Sequence, residues 1–427
     1  MSSLLSSLPI PLPSTSSLLL LLGGGMALQT ANVLRPMRSP GVVSAASFFA
    51  GWLTDELALH HLGWQAAAVG ALVALGGLSQ PAGWAGLGLA AAAWLGLAAT
   101  LRRSRRTGAA LEGALREGLG AYPGEPGGQQ GDRWAIDWGR IAWVIPFRRR
   151  DVEVKRDIVF ARPNGKPLKL DVYRKKGASG PAPTLLFVHG GGWVVGSKNA
   201  QGLMTMNHMA SRGWTCVNIS YRLSPRATFP DHLLDVKEAI RWVREHGKDH
   251  GCDPDFLVIA GGSAGAHLAS LAALTANRPE YQPGFEQVDT SVQGCVAYYG
   301  VYDFTDRHGH WPHRSFRLLL EWLVMKKRRS EAPEAYEEAS PIAQISEQAP
   351  PFLLLHGDHD TLAPVEEGRA FSRALRASSR APVVYAELPG AQHAFEIFPS
   401  IRSTLVMQAV ERFLETIHRE RGALRKR

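Results

Sequence analysis

One serine in this chain sits where it could act as a nucleophile. It is Ser263, within Leu257 to Ala269, which reads L-V-I-A-G-G-S-A-G-A-H-L-A. The apolar run from Phe256 to Ala260 has the length and content of a buried parallel strand. It ends at Gly261-Gly262-Ser263-Ala264-Gly265, and small and apolar residues then resume at helical spacing. In that strand, turn, helix setting a G-x-S-x-G pattern holds the Ser hydroxyl at the carboxyl edge of a sheet, with a helix N-terminus behind it. The outer positions are Gly because so sharp a turn leaves no room for side chains. The five-residue pattern alone is weak, since a structural turn would look the same in a chain with 44 Gly.

Its company strengthens it. The apolar strand Thr184 to Val188 runs into His189-Gly190-Gly191-Gly192-Trp193. Consecutive glycines let backbone N–H groups converge on one point, which suits a developing oxyanion. Strand Phe352 to His356 is followed by G-D-H-D-T-L-A-P, and strand Val383 to Glu387 by L-P-G-A-Q-H-A-F. Both loops fall at the sheet edge that carries Ser263. Among 15 His, His393 stands out by its position in the second loop. The first loop offers Asp358 and Asp360, and the reading favours Asp360 as the acid, with Asp358 as a turn-stabilising acceptor. The chain order Ser, Asp, His then allows nucleophilic catalysis with a base and an orienting carboxylate.

These loops need a sheet to hold them. Asp157 to Arg162 and Leu168 to Tyr173 read as short strands joined by the hairpin signal Pro163-Asn164-Gly165-Lys166. Thr215 to Ile219 and Gly294 to Tyr299 read as further strands, and Asp231 to His246 as a helix. Strands alternating with helices imply an α/β fold with a mostly parallel sheet covered on both faces. Several polar residues near the motifs have structural explanations: Asp235 on its helix, Tyr221 and Arg222 bracing the glycine loop, Asp303 fixing its own turn, His267 packed. The insertion Val301 to Ala349 is a candidate lid with an apolar face over an acyl pocket. Its basic run, Lys326 to Arg329, either rests on lipid headgroups or is an ordinary solvated helix end.

Residues 150 to 420 resemble the α/β-hydrolase superfamily, in the branch of H-G-G-G esterases that includes the hormone-sensitive-lipase-like carboxylesterases. The likeness rests on H-G-G-G-W at 189 to 193, S-Y-R-L-S-P at 220 to 225, F-P-D-H-L-L-D at 229 to 235, G-G-S-A-G-A-H at 261 to 267, H-G-D-H-D-T-L-A-P at 356 to 364 and G-A-Q-H-A-F at 390 to 395. The resemblance implies Ser263 as nucleophile, His393 as general base and Asp360 as its orienting acid. It also implies an oxyanion hole from the N–H groups of Gly191, Gly192 and Ala264, and a carboxylesterase that needs no metal or organic cofactor. The elbow reads G-G-S-A-G where those esterases usually have G-D-S-A-G, and Arg226 stands where they commonly carry Glu. Both departures lean toward feruloyl-esterase-like and membrane-anchored bacterial relatives. An amidase or peptidase on the same fold, or a non-catalytic membrane-attached binding protein, are the alternatives, the last disfavoured by the complete triad.

The resemblance does not reach residues 1 to 140. From Leu57 to Leu101 there is no charged side chain. Two apolar stretches, 62 to 78 and 82 to 101, flank the turn signal Ser79-Gln80-Pro81. Their 17 and 20 residues suit two membrane spans in a helical hairpin, or a buried hairpin in a soluble protein. Val42 to Leu53 reads as an interfacial helix or the start of a third span. Arg35 and Arg38 before the block, and Arg102, Arg103, Arg105 and Arg106 after it, favour an even number of spans at the inner membrane, with the catalytic domain in the cytoplasm. Residues 1 to 38 are expected to be a tail, the first 25 disordered or preceding the true start, and 107 to 149 a linker with an amphipathic segment. The net charge of +9 then fits attraction to an anionic membrane surface, since no basic, aromatic-bearing face for nucleic acid is found. Cys216, Cys252 and Cys295 are widely spaced in apolar contexts and read as buried small hydrophobes.

Overall fold

The computed structural model describes residues 13–38, 41–120, 134–144, 148–311 and 314–424. Its centre is a sheet of eight strands: β1 Val152–Ala161, β2 Leu168–Lys175, β3 Ala182–Val188, β4 Thr215–Ile219, β5 Cys252–Gly262, β6 Cys295–Tyr298, β7 Phe352–Gly357 and β8 Val383–Leu388. They lie in the order β1-β2-β4-β3-β5-β6-β7-β8. The β1–β2 and β2–β4 pairs are antiparallel and every other pair is parallel. Successive side chains serve opposite faces, as the pleat requires. On β3, Leu185 and Phe187 join one core while Leu186 and Val188 join the other.

Five helices precede the sheet: α1 Thr15–Leu34, α2 Gly41–Glu56, α3 Ala58–Ala74, α4 Pro81–Arg105 and α5 Thr107–Leu119. A short helix, α6 Trp138–Ala142, leads into β1. Then come α7 Leu203–Ser211, α8 Asp231–His246, α9 Ala264–Leu274, α10 Arg314–Leu319, α11 Pro333–Glu338, α12 Val365–Ser378 and α13 Ile401–Leu424. Side chains of α8, α9 and α12 fill the core on one face, and those of α5, α7 and α13 fill it on the other. The expected mostly parallel sheet with helices on both faces is what forms. The parallel strands β3, β5, β6, β7 and β8 all deliver their following loops to one edge.

The N-terminal third departs from expectation. The reading of residues 1 to 38 as a tail fails for Thr15–Leu34, which are helical; residues 1–12 lie outside the described residues. Ser14 caps this helix, its Oγ accepting from the Ser17 N–H at 3.2 Å. The first of its three consecutive glycines, Gly23, is a contact point with α4. A Cβ at Gly23 would run into the Gly86 carbonyl of α4, and one at Gly86 into the Leu19 carbonyl. Buried positions on α1 are 16, 19, 23, 26, 30 and 33, and on α4 they are 83, 86, 90, 93, 97, 100 and 104. Alternating steps of three and four are the seam of two coiled helices, here lined by small residues so that the backbones approach closely.

Leu19 meets Gly86, and Thr30 meets Gly96, so α1 and α4 run parallel. The expected hairpin exists as α3 and α4, but α1 joins it as a third helix. By length and composition, α1 and Pro81–Leu119 are each apolar enough to cross a membrane. Helices α2 and α3 qualify only together, across an 88° bend. The expected linker beginning at 107 is also corrected, because α5 is built into the sheet, with Leu111 and Leu115 buried in the core. Residues 121–133 and 145–147 of that stretch lie outside the described residues.

Candidate active site

The turn after β5 is as sharp as its sequence implies. Ser263 has φ 55° and ψ −121°, a strained conformation for a residue with a side chain. A Cβ at Gly261 would collide with the Gly265 carbonyl, and one at Gly265 with the Val188 carbonyl of β3. The outer glycines are therefore dictated by helix α9 pressing against the sheet. The strain is held by the Ser263 N–H, which donates to the Tyr298 carbonyl at 2.9 Å, and by the first turn of α9, where the His267 N–H donates to the Ser263 carbonyl at 3.1 Å.

The glycine loop after β3 folds back beside this turn. Gly191, Gly192 and Trp193 all have positive φ, and the Val194 and Val195 N–H groups donate to the Gly191 carbonyl. Trp193 anchors the loop from below. Its Nε1 donates to His267 Nδ1 at 3.2 Å, while His267 Nε2 donates to the Ala339 carbonyl at 2.7 Å. That pairing fixes one neutral tautomer of His267, and burial pushes its pKa down to about 3. His267 is a packed residue, as expected. Tyr221 braces the same loop by donating its hydroxyl to the His189 carbonyl at 3.1 Å and stacking on the His189 ring at 4.4 Å. Arg222 is clamped by Asp235, with Nε to Oδ1 at 2.9 Å.

The candidate acid and base meet on the loops after β7 and β8. His393 Nδ1 lies 2.7 Å from Asp360 Oδ2, and both residues are buried. Asp360 Oδ1 accepts from the Leu362 and Ala363 N–H groups, each at 2.8 Å. Burial alone would raise this carboxyl, but the imidazoles of His393 and His356 outweigh it and hold Asp360 well below the usual carboxylate range. An ionised carboxylate only accepts, so Nδ1 of His393 donates the hydrogen bond to Asp360 and Nε2 is the ring nitrogen left for other partners. Asp358 does the other job expected of it, accepting from the Gly390 N–H at 2.6 Å. Asp303 likewise caps its own turn through the Thr305 N–H at 3.0 Å.

Ser263, Asp360, His393 and Gly192 all face one cavity of about 1040 Å³. The candidate lid supplies one wall through Trp311, Phe316, Leu318 and Leu319, with Trp311 stacked on Phe316 at 3.6 Å. The opposite wall was not foreseen: it is the start of α2, with Val42, Val43 and Ala45. Phe48 packs edge-on against the His393 ring at 6.1 Å, and Trp52 Nε1 donates to the Ala394 carbonyl at 2.9 Å. The other end of α2 is bolted to α13, where buried Arg402 pairs with both Asp55 and Glu56. Two adjacent acids ending an apolar run were the available signal, but their partner lies far along the chain.

A second group missed by sequence ties the loops together. Gln201 accepts from the Gly190 N–H and donates to Tyr299 Oη at 2.8 Å and to Glu396 Oε1 at 2.9 Å. Tyr299 donates its hydroxyl to Glu396, and its ring lies 4.3 Å from that of His393. This cluster occupies the space beside the elbow. A Cβ at Gly262 would come 2.9 Å from Tyr299 Oη and still closer to Gln201 Nε2. The unusual G-G-S-A-G elbow thus has a physical cause: a side chain at its second position would displace Gln201.

Comparison with known proteins agrees with this fold. The family model BD-FAE matches residues 170–375. Over 400 residues the chain is 42 % identical to "Probable carboxylic ester hydrolase LipM" of Mycobacterium tuberculosis, covering 92 % of this chain and 91 % of that protein. The chain belongs to this family of carboxylic ester hydrolases. A match of that length extends well into the N-terminal third. Esterase LipQ of the same organism is 44 % identical over 75 % of this chain and 71 % of its own. Among solved structures, the thermophilic esterase Est2 of Thermogutta terrifontis is 26 % identical with a TM-score of 0.52, covering 62 % of this chain and 92 % of that one. The same enzyme has also been solved phosphonylated by sarin.

Proposed function

We propose that this esterase cleaves carboxylic esters through an acyl-Ser263 intermediate, while attached to a membrane by its N-terminal helices. The observation that carries the reading is the short His393–Asp360 contact, with the second Asp360 oxygen already satisfied, facing the same cavity as Ser263. In the first step Ser263 Oγ attacks the ester carbonyl while His393 Nε2 takes its proton. The imidazolium formed is stabilised by Asp360, and the N–H groups of Gly191, Gly192 and Ala264 stabilise the oxyanion. Collapse of the tetrahedral species expels the alcohol, which takes the proton from His393. Water, activated by the same imidazole, then releases the acid and restores Ser263.

The membrane part of the reading is supported by the lengths and composition of α1 and α4. It is also supported by the arginines Arg102, Arg103 and Arg105, which end α4 at the hydrolase domain. Full-length protein in lipid nanodiscs is to be assayed on p-nitrophenyl esters from acetate to palmitate, beside Ser263→Ala and a fluorophosphonate label. Wild type should hydrolyse part of the series and take the label on Ser263, as the sarin-modified relative suggests, and Ser263→Ala should do neither. A folded wild type that leaves every ester intact and takes no label would overturn the reading.

A further inference from the structure

The cavity has two lips, and both are apolar and turned outward. On one side is α2, whose Val42 is 84 % exposed and Phe49 66 % exposed. On the other is the turn that continues α10, whose Trp322 is 68 % exposed, with Leu318 half-exposed beside it. Val195 of the glycine loop is exposed, and a Cβ at Gly192 would lie 3.8 Å from Leu319 Cδ2 of this lid. The lips touch at one end, where Gly41 meets Ser315. Exposed apolar side chains grouped around the mouth of an apolar cavity mark a surface meant to be covered.

The surroundings say by what. The C-terminal ends of both span-length parallel helices lie at this edge of the sheet. Near the end of α1, Asn32 Nδ2 donates to the Ser47 carbonyl of α2 at 2.8 Å, and just beyond it Arg38 donates to the Asp358 carbonyl. At the end of α4, Arg103 lies against Gly390, three residues before His393. Basic residues at span ends settle at the headgroup layer. If α1 and α4 cross a bilayer, the catalytic edge therefore lies at its surface, and the two lips face the acyl chains. Exposed Lys326, Lys327 and Arg328 follow Trp322 within one to two turns of chain, the arrangement of an interfacial anchor.

We propose that the substrate is a membrane lipid ester whose acyl chain enters the cavity from the bilayer, between α2 and α10, with α2 as the specificity-determining wall. The proposal rests on the ester-hydrolase reading above but goes beyond it, because it assigns the substrate's source and one wall of its pocket to the N-terminal region. Phe49 and Trp322 lie on the lips outside the cavity lining, so they act on delivery and not on chemistry.

The test uses the full chain in phosphatidylcholine vesicles with two substrates: water-soluble p-nitrophenyl butyrate, and p-nitrophenyl palmitate dissolved in the bilayer. The double variant Phe49→Ser, Trp322→Ser should keep the butyrate rate within twofold and lose tenfold or more on palmitate. Val42→Trp, which fills the wall, should shift the chain-length optimum toward shorter acids. Equal effects of the double variant on both substrates, or an unchanged optimum in Val42→Trp, would overturn the proposal. Fluorophosphonate labelling of each variant separates the two levels: a labelled variant retains the nucleophile, whereas an unlabelled wild type means that the underlying reading has failed.

Discussion

The loops after the parallel strands and the helices before the sheet both line the same cavity, yet they are built on different principles. The loops are held by dense polar bonding: Asp360 alone accepts two backbone N–H groups and one imidazole. The N-terminal wall lines the cavity with apolar side chains and is tied down away from them, by the Asn32–Ser47 and Trp52–Ala394 hydrogen bonds and the buried ionic cluster around Arg402. Polar bonds fix directions to within tenths of an ångström, which proton transfer requires. Packing tolerates small shifts, which suits a surface that accommodates an acyl chain. On the proposals made above, the chemistry and the choice of substrate reside on separately stabilised parts.

That division can be broken from either side. The largest effect is expected on the loop side from Asp360→Asn. It should lower kcat on the order of 10⁴-fold by losing the correct histidine tautomer, with the melting temperature little changed. On the wall side, Arg402→Met leaves Asp55 and Glu56 buried without a counter-charge. It should cost about 3–5 kcal/mol of stability, read as a lower melting temperature. If Arg402→Met melted like wild type, the wall would not depend on its ionic cluster. An intermediate effect belongs to Gln201→Ala, expected to lower kcat roughly tenfold to a hundredfold with KM nearly constant, because the glycine loop loses its tether at Gly190.

Smaller still is a pH effect at the base of the lid. Burial pushes the Glu367 carboxyl up from 4.5 to about 8, even though the Tyr302 and Asp303 N–H groups donate to it. Between those values the folded state holds a proton that the unfolded chain has released, so stability should fall as pH rises from about 4.5 to about 8. Glu367→Gln should flatten that slope in melting curves. Asp358→Asn should change kcat less than about tenfold, and a loss as large as that of Asp360→Asn would reverse the assignment of the two acids.

Local signals made the hydrolase domain legible. Helix Asp231–His246 and strand Thr215–Ile219 fall where periodicity places them, because each buries a face defined by its own residues. The loop residues were readable because the turn leaves a short fixed pattern, with Gly261 answering a steric demand only four residues away at Gly265. What escaped was set by distant partners. Gly23 of α1 carries no visible role until Gly86 of α4 lies against it. The two acids ending α2 look like a surface stop until Arg402, on the last helix, neutralises them. Gln201 and Glu396 carry no motif at all, since their meaning comes from Tyr299 standing between them.

The three cysteines give this protein a reporter of its own. Cys216, Cys252 and Cys295 lie on the central strands β4, β5 and β6 with no exposed surface, and they are the chain's only thiols. Burial pushes the Cys252 thiol up to about 12, so it is unreactive while the sheet is closed. Neither the lid nor the N-terminal helices contain a cysteine, so their movements leave no trace in thiol labelling. The rate of alkylation therefore clocks opening of the sheet alone, and an inactive variant that still resists alkylation has lost its function without losing its frame.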